Sequence, residues 1–152
     1  MAIAEAVQAS ALGSWMRQSP NAYPVANVLH LLGLVMLVGG IGFVDLRLAG
    51  AFRTIPLRPL VDALTPVAIA GFVLSAGTGA LLFAADAVAL ATSATFRWKL
   101  LLVMIAIANA LVFRSLWRPT LTRATPLMRL IAIASLALWL AVATLGRLIA
   151  YW

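Results

Sequence analysis

Apolar positions along this chain fall into four long runs, each closed by prolines or charged residues, without the strict alternation of a half-buried strand. The runs cover about 23–46, 60–85, 96–117 and 126–150. Each suffices for a helix to cross a hydrocarbon layer of about 30 Å, which takes about 20 residues. Backbone groups in lipid must be satisfied within the segment itself, so the runs predict four membrane-spanning helices. Pro66, early in the second run, is expected to bend its first turns. Polar residues gather at the ends of runs and between them, with Asp45 and Arg47 at the exit of the first and Arg53, Arg58 and Pro59 beyond it. Asp86 and a softer connection over 88–95 follow the second, and 118–126 follows the third.

Residues 1–19 have another pattern. Ile3, Val7, Leu12, Trp15 and Met16 recur about every three to four positions beside Glu5, Gln8, Ser10 and Arg17. This predicts an amphipathic helix lying in the membrane interface. The segment lacks the basic start and continuous apolar core of a secretory signal, so it is expected to remain in the mature protein. The expected fold is all-α, an integral membrane four-helix bundle over 20–152 with a short N-terminal amphipathic interfacial helix over 1–19.

Composition narrows the function classes. With 64% hydrophobic and 10% charged residues and a mean hydropathy of +1.08, the chain is too apolar for a soluble domain of this size. Four spans in 152 residues leave no room for a soluble catalytic domain. The net charge of +7 does not predict a nucleic-acid partner, because the basic residues sit between apolar spans; the expected partner is the lipid bilayer. Arg47, Arg53, Arg58, Arg114, Arg118, Arg123 and Arg129 fall on one face, and only Arg17, Arg97, Lys99 and Arg147 on the other. The positive-inside rule then predicts a multi-pass protein of a bacterial inner membrane with both termini periplasmic. Trp15, Tyr23, Trp98, Tyr151 and Trp152 cluster toward the outer interface in this arrangement, and Trp117 toward the inner one. The absence of cysteine excludes disulfides, thiolate metal sites and covalent haem attachment.

Candidate chemistry centres on the one histidine, His30, in the first span. With a rise of 1.5 Å per residue, His30, Lys99 and Arg147 all lie roughly 5–10 Å below the outer boundary. A histidine inside a span is costly and is generally functional. One reading is axial ligation of a b-type haem by His30, with Lys99 and Arg147 neutralising the propionates and Gly33 making room for the macrocycle. Met36 and Met104 are then candidate second ligands, although methionines in so apolar a chain are ordinary core filling. The other reading is a neutral imidazole bonded to Asn27, Thr78 or Thr144 that fixes helix packing. Copper is a weaker candidate, because one imidazole and scattered thioethers make a poor cage.

Tyr23, Ala26, His30, Gly33, Leu37 and Gly40 share one helical face, and Gly71, Ser75 and Gly79 form a matching ladder on the second span, a pattern of close helix packing. Asp45 is expected to pair with Arg47, Arg53 or Arg114, and Asp62 faces the same basic loops. Asn109 and Ser135 alone interrupt the apolar middle of the spans. No paired carboxylates or nucleophilic constellation is present, so a binding or electron-transfer protein is expected ahead of a hydrolytic enzyme.

The His30-Leu31-Leu32-Gly33 stretch, the Asp45-Leu46-Arg47-Leu48 exit, Lys99 and the Gly146-Arg147-Leu148-Ile149-Ala150-Tyr151 ending resemble small four-helix bacterial membrane proteins of unassigned function. That group is distantly similar to the membrane domain of copper-resistance protein D, and the similarity covers about residues 23–152. The resemblance implies an inner-membrane four-helix bundle with His30, Lys99 and Arg147 as candidate functional positions. It supplies no reaction. Transport, copper handling and a non-catalytic role in a homo-oligomer or larger membrane complex, without any cofactor, therefore stand beside haem binding.

Overall fold

The computed structural model describes residues 1–117 and 124–149. Its helices are α1 (Ala2–Ala9), α2 (Ala11–Gln18), α3 (Ala22–Ala49), α4 (Leu57–Ala85), α5 (Ala87–Thr92), α6 (Ala94–Leu116) and α7 (Pro126–Leu148), with no strand among the described residues. Four of them, α3, α4, α6 and α7, are long and apolar enough to cross a membrane. The chain is an all-α multi-pass membrane protein. Arg118, Arg123, Tyr151 and Trp152, assigned above to loop charge and outer aromatics, lie outside the described residues.

Helix ends follow local chemistry. Gly50, at φ 117°, closes α3 by donating its N–H toward the carbonyls of Leu46 and Arg47, a left-handed position that glycine adopts without steric cost. Helix α3 runs three residues past the expected end of the first span, so Arg47 too lies in its last turn rather than in the connection. Arg47 folds back, its Nε donating to the Ile55 carbonyl at 2.7 Å and its NH2 group to the Arg53 carbonyl at 3.1 Å. Ser93 caps α6 and Thr125 caps α7, each accepting an orphan N–H, and Pro126 occupies the first turn of α7 where no donor is needed. Pro66 sits on an exposed face inside a continuous α4.

Two expectations about the shorter segments change. The stretch 88–95 is no plain connection, because alanine-rich residues form α5 and Ser93 then starts α6. The N-terminal amphipathic segment breaks at Ser10, whose backbone is extended and whose hydroxyl donates to Val7 and accepts from Gly13 N–H. Both pieces pack on the bundle: Met16 is fully buried beside Ala26 and Ala85, and Arg17 donates to the Ala85 carbonyl at 3.1 Å.

Within the bundle α3 packs closely on α4 and on α7, and α6 on α7. Small residues make the α3–α4 approach close. A β-carbon on Gly71 would lie 2.5 Å from Leu37 N, and one on Gly40 would lie 3.1 Å from the Leu64 carbonyl oxygen. Helices α4 and α6 have no comparable backbone approach. Between them Phe83 stacks on Phe96 at 5.5 Å, while Phe72 of α4 meets the edge of Trp139 of α7 at 6.5 Å. Trp117, at the end of α6, is buried in the core with Val44 and Met128 and stacked on Phe113. Leu100, Leu101, Met104 and Leu111 of α6 remain exposed, the surface that lipid covers in a spanning helix.

Candidate functional site

His30 is half-buried on the face of α3 turned to α4. Its Nδ1 lies 2.9 Å from the Ser75 carbonyl oxygen and 3.2 Å from Thr78 Oγ1. A carbonyl can only accept, so Nδ1 carries the hydrogen. The Thr78 hydroxyl donates to the Leu74 carbonyl at 2.6 Å, leaving its oxygen free to take a second share of the Nδ1–H bond. In the neutral ring this arrangement leaves Nε2 with a bare lone pair, the form in which a histidine ligates a metal. Ser75 Oγ returns a bond of 3.3 Å to the His30 carbonyl. Thr78 is therefore the partner among the three side chains anticipated for the imidazole. Asn27 is exposed, and the Thr144 hydroxyl bonds instead to the Leu140 carbonyl.

Glycine shapes this corner in a way the spacing alone did not resolve. A β-carbon on Gly33 would stand 2.5 Å from Ser75 Oγ, and one on Gly79 would stand 3.1 Å from His30 Cε1. Gly33 thus admits helix α4, and Gly79 admits the imidazole itself. On the α4 side of His30 neither glycine leaves space for a further planar group.

Lys99 reaches toward the same end from α6. Its Nζ lies 3.3 Å from the place a β-carbon on Gly146 would take, so the chain of Lys99 lies across the last turns of α7. Arg147, next along α7, is exposed at this end. The candidate thioether ligands are not brought to the imidazole: Met36 lies nearly two turns further along α3 with its Cβ against Gly71, and Met104 is 64% exposed on the outside of α6.

At the opposite end the expected salt bridge of Asp45 does not form. Arg47 is turned outward to loop carbonyls, and Asp45, 5% exposed, points into the bundle. The Ser135 hydroxyl of α7 is the polar group beside its carboxyl, and Oδ2 has no hydrogen-bond partner among the described residues. Asp62 pairs instead with Arg58, 3.5 Å away on an exposed turn of α4. Asn109 does bridge helices, donating to the Ile131 carbonyl at 3.1 Å.

Among the described residues no group of three or more His, Asp or Glu side chains could hold a bare metal ion. Comparison with protein-family models, curated proteins and solved structures finds no match.

Proposed function

We propose that this membrane protein binds a b-type haem, or a closely similar macrocyclic metal cofactor, through His30 Nε2 at the end of the bundle where α3 begins and α7 finishes. The observation that carries the reading is the Nδ1–H bond to the Ser75 carbonyl, which orients the ring and presents Nε2 as a donor. A solitary imidazole is a poor site for a bare ion, yet a macrocycle supplies four equatorial nitrogens and asks the protein for only one or two axial ligands. This favours haem over copper, the rival suggested by the resemblance to the copper-resistance membrane domain. Lys99 and Arg147 supply cations for propionates on the same level. With the α4 side filled, the macrocycle would have to lie on the remaining faces of His30. Bound there, the group would supply one-electron chemistry; the chain's own part is to hold Nε2 and keep water from the apolar flank.

The reading sets the protein in a bacterial inner membrane, both termini periplasmic, on the excess of cations in the α3–α4 and α6–α7 connections. Gly39 and Gly77 have open space over their α-carbons and are points where a second copy could approach.

One observation favours a second reading. The two-way bonding between His30 and Ser75 also suits a purely structural lock between α3 and α4. Oxidised and dithionite-reduced visible spectra of the detergent-purified protein, with metal analysis, decide between them. A Soret band and reducible α and β bands at near-stoichiometric haem, lost in His30→Ala, are expected. Haem kept at wild-type occupancy in His30→Ala overturns ligation by His30, and a folded, colourless, metal-free wild type leaves the lock.

A further inference from the structure

We propose that Asp45 and Ser135 form a proton-binding site between α3 and α7, with Asp45 present as the uncharged carboxylic acid in the resting protein. The site is independent of His30, which lies 15 residues earlier on α3, or about 22 Å along the axis at 1.5 Å per residue.

Three observations carry it. Asp45 is 5% exposed, and its Oδ2 has no hydrogen-bond partner. The polar neighbour found among the described residues is the Ser135 hydroxyl, a neutral group, itself buried. The rest of the setting is apolar: Val44 and Leu48 beside it on α3, and Ala132 one turn from Ser135 on α7, belong to or border a core closed by Trp117 and Met128.

Among the described residues no charge compensates the carboxyl. On its own helix Arg47 is engaged with the Ile55 and Arg53 carbonyls. On α4 Arg58 and Asp62 pair with each other in the open. Arg114 of α6 and Arg129 of α7 are exposed, and no ion pair to Asp45 is present among the described residues. An isolated carboxylate in such surroundings is strongly unfavourable, whereas one proton removes the charge.

A metal cation would need several oxygens, and this pocket has few to give. The Ile131 carbonyl nearby is already taken by Asn109, and the flanking side chains are hydrocarbon. A proton requires only the carboxyl. The binding step is simple: a proton from water at the arginine-rich end adds to the Asp45 carboxylate and gives the acid, which can share its O–H with Ser135. Loss of the proton would place a bare charge between α3 and α7, so occupancy is coupled to the packing of these helices.

The test uses the full chain in detergent or nanodiscs, carboxyl-labelled with carbon-13 aspartate, carrying Asp62→Asn and Asp86→Asn. Both replaced residues are exposed, and Asp45 is then the single labelled aspartate. Infrared and carbon-13 spectra at neutral pH are expected to show the C=O signature of a carboxylic acid, which shifts when Ser135→Ala removes its partner. A carboxylate signature at neutral pH overturns the proposal. An acid signal converted to carboxylate by sodium chloride, but not by choline chloride at equal ionic strength, also overturns it in favour of a cation site. Because Asp45 is never substituted, a folding defect at that position does not cloud the outcome.

Discussion

His30 and Ser75 are bonded to each other in both directions, ring nitrogen to carbonyl at 2.9 Å and hydroxyl to carbonyl at 3.3 Å, across the closest helix pair in the molecule. The ring bond uses a backbone carbonyl, so it is indifferent to the side chain at position 75. Nitrogen-15 spectra of the single histidine are expected to show the hydrogen on Nδ1 in the metal-free neutral ring. Ser75→Ala should keep that tautomer while losing only the hydroxyl bond, about 0.6 kcal/mol for a hydrogen bond within a membrane bundle. A hydrogen found on Nε2 in the metal-free protein would remove the basis for ligation.

Gly71 and Gly77 lie on the same helix and predict opposite responses. A β-carbon at Gly71 meets Leu37 N at 2.5 Å and the Gly33 carbonyl oxygen at 2.6 Å, both backbone atoms that cannot rotate away. Gly71→Ala should therefore push α3 from α4 and lower stability by about 1–3 kcal/mol, the usual range for overpacking. At Gly77 nothing lies within 4 Å, so Gly77→Ala should leave the melting temperature in detergent unchanged or raise it. Equal effects at both positions would contradict the close α3–α4 approach at Gly71.

The docking of α1 and α2 rests heavily on Met16, fully buried, and on Arg17 held at the Ala85 carbonyl. Met16→Ala should weaken that docking by about 2–5 kcal/mol, the range for truncating a buried methionine. Trypsin cleavage after Arg17 should quicken in the variant while the spans stay protected. Unchanged cleavage kinetics would mean that the segment is not held as described.

The proposed orientation can be read by chemical labelling, helped by the absence of native cysteine. Single cysteines at Thr54, between α3 and α4, and at Ser14, in α2, should report opposite sides. In intact cells with a permeabilised outer membrane, an impermeant maleimide is expected to modify the Ser14 variant and spare the Thr54 variant. The reverse pattern would invert the topology.

Much of the architecture was legible because lipid enforces long apolar helices and because glycine spacing marks close approach. The face bearing Ala26, Gly33, Leu37 and Gly40 is buried against its neighbours as the pattern suggested. The destination of Asp45 was not legible. Arg47 two positions away made a surface ion pair the simplest expectation, but two residues apart on a helix point to different sides, and α3 continues far enough to turn Asp45 inward. The break at Ser10 was equally hidden, since an amphipathic period persists through a helix interruption whose cause is one hydroxyl. At the candidate site, His30 and its common level with Lys99 came from sequence. That Gly79, rather than Gly33, shapes the imidazole's own niche required the relative rotation of two helices.

The unequal seams of the bundle bear on its biogenesis. Helices α3 and α4 meet through backbone-deep contacts, whereas α4 and α6 show no such approach and share the Phe83–Phe96 stack. The first two spans thus form a hairpin whose cohesion needs nothing synthesised after residue 85. It can assemble in the bilayer while the later spans are still emerging, in keeping with insertion first and lateral association afterwards. The α6–α7 pair then completes the molecule by settling on α3.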